Sequence, residues 1–319
     1  MKKFTKLLTV ILVILTLATF VVGCKSQNKE TTKVGVSKTE KTVEESAFPV
    51  KITDDAQREV EVKEKPEKIV SLAPSNTEIL FALGLGDKVV GVTDFCDYPE
   101  EAKSKDKVGG FSEPNIEKII ELEPDLILGT GMHQKLINQF EDVGLTVFIL
   151  DPKGIDGVIE SIGTVGKLTG ETGASRKLMD EMKEKIENVK GKVANLSDDK
   201  KPLVYYEVCN DPISTVGPGA LMFDIVEMSG GTNIAADTKE KYPQLSLETL
   251  IEKDPQIIIA SEGSMGDPGK VKERKGWESM SAVKDGKVYI IDENKVVRPG
   301  PRIVDGLVDA AKIIHPELY

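Results

Sequence analysis

The chain has 319 residues, a net charge of −11 and an aromatic content of only 5%. An acidic chain of this kind argues against nucleic acid as a partner and against broad contact with anionic lipid. The chain has only two histidines, His133 and His315, which disfavours a manganese or zinc carrier.

Lys2, Lys3 and Lys6 precede an apolar run from Leu7 to Val22. At roughly 16 residues this run is shorter than the about 20 that span a bilayer. It ends in Val21-Val22-Gly23-Cys24, which resembles the lipobox of bacterial lipoproteins. The resemblance implies a signal peptide over 1–23, cleavage before Cys24, and lipidation of Cys24 on the extracytoplasmic face of the cell membrane. The alternative is an uncleaved anchor helix. Residues 24–47 are rich in Lys, Glu, Thr and Ser and show no apolar periodicity, so they are expected to form a disordered tether. As a flexible coil it would reach about 25 Å.

The body opens with alternation of apolar and polar residues on both sides of a polar turn, from Val50 to Val62, which predicts a β-hairpin over 48–65. From 66 to 152, strand-like and helix-like segments alternate. Ile69–Leu72 reads as a strand, Ser75-Asn-Thr-Glu78 as a capping box opening a helix through Leu83, and Val89–Val92 as a strand. A helix over Ile116–Leu122 follows, then strands at Asp125–Leu128 and Val147–Leu150 around a helix over Gln134–Val143. Residues 153–198 are expected to be helical, with one helix over Ile155–Leu168 and a longer one over Ala174–Val193. A second βα series fills 199–319. This order implies an α/β fold with mostly parallel sheets in two lobes.

One internal repeat stands out. Asn115–Leu128 and Ser246–Ile259 each read as an N-cap, a short helix, a proline stop and a buried strand, with Glu117 matching Glu248 and Pro124 matching Pro255. Two similar lobes facing each other across a cleft form a binding architecture.

Further segments carry a family resemblance: Ser71-Leu-Ala-Pro-Ser-Asn-Thr-Glu78, Asp97-Tyr-Pro99, Asn115-Ile-Glu117, Tyr242-Pro-Gln-Leu-Ser246 and Arg298-Pro-Gly-Pro-Arg302. Together they resemble the helical-backbone (class III) periplasmic binding proteins, from Pro66 to the C-terminus. Within that class the pattern is most similar to the cobalamin-binding proteins of vitamin importers, and relatives on nearly the same scaffold bind iron-siderophores or haem. The resemblance implies two Rossmann-like lobes joined by a single long rigid helix, placed here at Ala174–Val193, with the ligand cleft between the lobes. An ordinary surface helix gives the same periodicity. It also implies a monomer that hands a corrinoid, or alternatively a ferric siderophore or haem, to an ABC transporter permease dimer with its ATPase subunits. No catalytic cofactor is expected.

Ligands of open α/β sheets bind beyond the carboxyl ends of the strands. With the positions that the resemblance implies, the candidate ligand contacts are Ser75, Asn76, Tyr98, Phe111, Thr130, His133, Tyr242 and Arg298. The resemblance matches Tyr98, Phe111 and Tyr242 to aromatic contacts of the cobalamin relatives, with core packing as the alternative for each. Thr130 stands where a tryptophan is expected and Ile213 near an expected phenylalanine, so the cleft is less aromatic than in those relatives. Arg298 matches a polar cleft contact, whereas Arg302 is expected to bind its own lobe. His133 reads as a solvated loop histidine or as a ligand to cobalt or haem iron. Glu117 and Glu248 follow their helix N-caps, where a carboxylate complements the helix dipole. In the family such a pair docks onto arginines of the permease. Cys96 and Cys209 are expected to be free buried thiols. No Gly-x-Ser-x-Gly elbow, His-Glu-x-x-His pair or phosphate-cradling loop is present, so an enzyme is not expected.

Overall fold

The computed structural model describes residues 47–265 and 267–319. The expected signal peptide, Cys24 and all but the last residue of the expected tether lie outside the described residues. Among the described residues, no helix is long and apolar enough to cross a membrane.

Strands β1 (Val50–Thr53) and β2 (Glu59–Val62) pair antiparallel from Val50↔Val62 to Thr53↔Glu59, so the alternation in the sequence becomes a two-sided hairpin with Val60 and Val62 buried. The first lobe contains β3 (Ile69–Ser71), β4 (Val89–Val92), β5 (Asp106–Lys107), β6 (Leu126–Gly129) and β7 (Val147–Ile149). All are parallel in the order β5-β4-β3-β6-β7. Strands β3, β6 and β7 are buried throughout, as expected of a parallel sheet covered on both faces. The hairpin covers the outer edge of β7. Asp55 N donates to Ile149 O at 3.1 Å, and the Arg58 guanidinium donates to Val147 O at 2.9 Å. Strand edges need such cover to avoid pairing with another chain.

Helices α1 (Pro74–Ala82), α2 (Ile116–Glu121) and α3 (Ile137–Glu141) flank this sheet. The capping box expected at Ser75–Glu78 does not form. The N-cap is Ala73, without a side-chain cap bond, and Ser75, Asn76 and Glu78 are buried within the helix. Glu78 is drawn away by partners far along the chain, described below.

Two helices follow, α4 (Gly154–Thr169) and α5 (Thr172–Val193). They form an antiparallel pair, and their approach is so close that a Cβ on Gly166 would run into the Ser175 side chain. Helix α4 is buried along most of its length. It packs on α1 of the first lobe and on α6 (Leu221–Met228) of the second. The longer α5 buries only Ser175, Met182, Ile186 and Val189, and packs mainly on α4 and on α10 (Ile303–Ile314). The bridge placed at Ala174–Val193 therefore belongs to α4. Length favours α5, whereas burial against both lobes falls to its neighbour.

The second lobe contains β8 (Leu203–Asn210), β9 (Ile213–Ser214), β10 (Thr232–Asn233), β11 (Ile257–Met265) and β12 (Val288–Ile291). The order is β10-β8-β11-β12, all parallel, with β9 antiparallel on β8. Its helices include α6, α7 (Leu247–Lys253), α8 (Ser281–Lys284), α9 (Glu293–Val296) and α10. In each lobe the first strand is central and the chain builds to one side before crossing to the other, which creates a switch-point crevice.

The repeat holds in detail. Helices α2 and α7 are capped by Asn115 and Ser246, whose side chains accept from the amides of Lys118 and Thr249 at 3.0 Å. Both segments then turn through a left-handed non-glycine residue before the proline, Glu123 at φ 48° and Asp254 at φ 46°. The second is supported by the Asp254 carboxylate, which accepts from Ser281 N at 2.7 Å and from Ser281 Oγ at 2.6 Å.

Asp54 is 2% exposed and holds Arg58 through its side chain and backbone. Arg58→Ala is expected to lower stability by roughly 2–4 kcal/mol, because it strands a buried carboxylate that keeps only its backbone donors. A urea melt of the variant against wild type measures the loss.

Candidate ligand cleft

A cavity of about 430 Å³ lies at the switch point of the second lobe. Tyr206 and Val208 of β8, Ser261 of β11, and Glu293 and Val296 of α9 form one side, with Val297 and Pro299 just after them. Asp151, Pro152 and Lys153, on the segment leaving β7, close it from the first lobe, and Lys241 and Tyr242 stand at its rim. Volume and mixed lining are those of a small-molecule site. Burial pushes the Tyr206 hydroxyl up to about 12, so it stays protonated beside Ser261. The Glu293 carboxylate lies directly over the Cα of Gly263, where any side chain would collide with it.

A larger groove, about 650 Å³, runs beside α1 from Glu78 past Phe81 to Gly84 and Gly86, with Tyr98 and Arg302 on its wall. Gly86 precedes β4, so this groove extends toward the amino ends of the strands, away from the crevices where such sheets bind ligands.

Of the residues singled out in the sequence, Tyr242 lies at the cleft, 57% exposed, with the Lys241 amine 5.6 Å from its ring centroid. Ser75, Asn76 and Thr130 gather at the switch point of the first lobe, but the Asn76 amide donates to Gly129 O at 3.1 Å and Thr130 caps the turn that follows β6. These two shape backbone. Phe111 joins that turn through an edge-on contact with the His133 ring, centroids 5.4 Å apart.

His133 is neither solvated nor free to bind a metal. It is 1% exposed, its Nδ1 accepts from Thr130 N at 3.0 Å, and its Nε2 lies 2.7 Å from Phe111 O. A backbone N–H can only donate, so Nδ1 carries the lone pair and Nε2 the proton. His315 is engaged likewise, by Glu317 and by Gly230 O, each at 3.0 Å.

Arg298 and Arg302 also depart from expectation. Arg302 does not bind its own lobe: its Nε and one terminal nitrogen grip Glu78 of α1 at 2.9 and 2.7 Å. Arg298 reaches Glu78 at 3.3 Å and Asp97 at 2.6 Å instead of pointing a free guanidinium at the cleft. Tyr98 lies beneath Arg302, whose guanidinium carbon is 3.9 Å from the ring centroid, a cation–π contact. Two carboxylates and two guanidiniums thus balance at the junction of the lobes. The Arg298 guanidinium holds the Asp97 carboxyl below its usual range.

Other exposed apolar side chains were not singled out in the sequence: Phe95 after β4 and Met132 after β6 follow strand ends, and Val297 follows α9. The strand-end rule selects Phe95 ahead of Tyr98; motif matching favoured the tyrosine. Glu117 and Glu248 are exposed, one on each lobe, and neither is ion-paired among the described residues. Cys96 and Cys209 are free and buried. Cys96 Sγ lies 3.1 Å from Thr77 Oγ1 and 3.2 Å from Thr93 Oγ1.

The fold, the paired lobes and the cleft define a solute-binding protein, and the chain belongs to the periplasmic binding protein family, whose profile matches residues 69–295. Its members are substrate-binding proteins of ABC importers, which work with a permease and an ATPase. The chain is 35% identical over 308 residues to the uncharacterized ABC transporter substrate-binding lipoprotein YvrC of Bacillus subtilis, covering 95% of each chain. It is 30% identical over 245 residues to the vitamin B12-binding protein of Vibrio cholerae, covering 76% of this chain and 86% of that one. Among solved structures, a possible iron-binding (periplasmic solute-binding) protein from Staphylococcus epidermidis matches with a TM-score of 0.70 at 32% identity, over 79% of this chain and all of that one.

Burial lowers the proton affinity of His133 below the ordinary 6.5. The unfolded ring then takes up its proton first, so stability is full above about pH 6.5 and falls as pH drops from there toward the folded value. Urea midpoints between about pH 7 and about pH 5 should decline in wild type, with a shallower decline in His133→Gln.

Proposed function

We propose that the protein captures cobalamin or a related corrinoid outside the cytoplasm and delivers it to the permease dimer of an ABC importer. The observation that carries this reading is the engagement of both ring nitrogens on both histidines, His133 and His315. Cobalamin carries its cobalt within a ring that supplies the equatorial nitrogens, and its own nucleotide base can supply an axial one. It asks the protein only for apolar faces and for hydrogen bonds to its amide rim. Tyr242, Val297 and Pro299 offer the former, and Ser261, Glu293 and Lys241 the latter. Haem takes its axial ligands from the protein, and neither histidine has a free ring nitrogen to offer it. The cobalamin relative at 30% identity supports the same choice.

A ferric siderophore is the second reading. Lys153 and Lys241 at the cleft would suit an anionic iron complex, and the Staphylococcus epidermidis neighbour is described as a possible iron binder. In either case the chain acts as a monomer tethered through lipidated Cys24, in keeping with the lipoprotein name of the Bacillus relative. Glu117 and Glu248, one per lobe, dock onto arginines of the two permease subunits. No reaction is catalysed.

The test is to incubate the purified mature chain separately with cyanocobalamin, haem and a ferric siderophore, then pass each through gel filtration. Corrinoid absorbance should travel with the protein, and Tyr242→Ala should weaken binding roughly tenfold. Co-elution of haem or siderophore colour alone would overturn the corrinoid assignment. Docking is read separately. The double variant Glu117→Arg, Glu248→Arg should bind ligand normally and lose uptake in cells, and unchanged uptake would refute the docking role.

A further inference from the structure

The segment from Val297 to Arg302 faces two ways. Val297 and Pro299 line the ligand cavity, while Arg298 and Arg302 leave it to bind Glu78 and Asp97 of the first lobe. Between them, Gly300 sits against α1, so close that an added Cβ would stand 3.3 Å from the Glu78 carboxylate and 3.5 Å from Ser75 O. Pro299 and Pro301 fix the backbone on either side of it. A displacement of Val297 or Pro299 by a bound molecule therefore cannot be absorbed by a slack loop; it moves the guanidiniums. Glu78 is the one acceptor shared by both, 3% exposed and bound in fork geometry by Arg302. Asp97 forms the exposed end of the cluster, two residues before the cis-linked Pro99 and two after Phe95, the exposed aromatic beyond β4.

We propose that Glu78 is the positioning residue of the ligand site: through Arg298 and Arg302 it sets the Val297–Pro299 wall and transmits occupancy of the cleft to the Phe95–Tyr98 segment of the opposite lobe. Where the ligand is concerned, this rests on the corrinoid reading; the link between the lobes does not.

Hydrogen–deuterium exchange of the full mature chain, with and without cyanocobalamin, tests it. In Glu78→Gln without ligand, amides of 297–302 should exchange at least tenfold faster than in wild type, and those of β8 and β11 should be unchanged. Cyanocobalamin should slow exchange at 94–98 in wild type and leave that segment unaltered in Glu78→Gln, whose dissociation rate should rise about tenfold. Val297→Ala serves as the contrast, with faster dissociation but wild-type exchange at 297–302 in the free protein. A role confined to stability would change global exchange and leave the transmission to 94–98 intact. Wild-type protection at 297–302 in Glu78→Gln overturns the proposal, as does ligand protection at 94–98 that survives the substitution. Should Glu78→Gln not fold, Asp97→Asn, which removes only the exposed end of the cluster, should show the same changes in smaller measure, and their absence refutes it. If wild type binds no cyanocobalamin, the corrinoid reading fails, and the comparison without ligand still decides the link between the lobes.

Discussion

Ile155, Val158, Ile159, Ile162 and Val165 of α4 belong to one apolar cluster that also holds Ile69 and Phe148 of the first sheet and Val204 and Ile259 of the second. Any relative movement of the lobes has to be made against that packing. Interiors at this density deform little, because each lost contact forfeits dispersion energy that no neighbour replaces. The lobes are therefore joined by packed side chains and not by a pair of flexible crossover strands. Two smaller clusters, around Tyr205 and Trp277 in the second lobe and around Ile119 and Phe140 in the first, stabilise the outer layers independently.

Above this spine the ion cluster of Glu78, Asp97, Arg298 and Arg302 adds direction to a non-directional contact. Apolar packing tolerates small slides, whereas a fork of two parallel N–H bonds on one carboxylate fixes orientation as well as distance. The charges balance within the cluster, which limits the desolvation cost of burying them. The site that results is asymmetric. Its deep part belongs to the second lobe, and the first lobe contributes Asp151, Pro152 and Lys153 from the segment leaving β7.

Much of the fold was legible in the sequence because the signals are local. Alternation of period two fixed the hairpin, and the N-cap, proline and apolar-run order of Asn115–Leu128 recurred at Ser246–Ile259 and produced matching helix–strand units. What failed was non-local. Ser75-Asn-Thr-Glu78 has the spelling of a capping box, yet Glu78 answers to arginines some 220 residues away. His133 looks like a loop histidine until Phe111, from another segment, closes over it. Length points to α5 as the bridging helix. Helix α4 is the shorter of the two, and its bridging role rests on burial against both lobes, which no local pattern reports. The cleft was legible as a place, at the strand ends, but only Tyr242 among its wall residues was legible by name.

The shared spine also bears on how the molecule comes apart. Two lobes of this size would ordinarily melt as separate units if only a linker joined them. Here the cluster that contains β3 also contains β8, and losing either lobe would expose the α4 face that the other still needs. The described body is therefore a single cooperative unit with two sheets, and a ligand that grips one lobe stabilises both by mass action. Occupancy then governs the lifetime of the whole carrier as well as the state of its cleft.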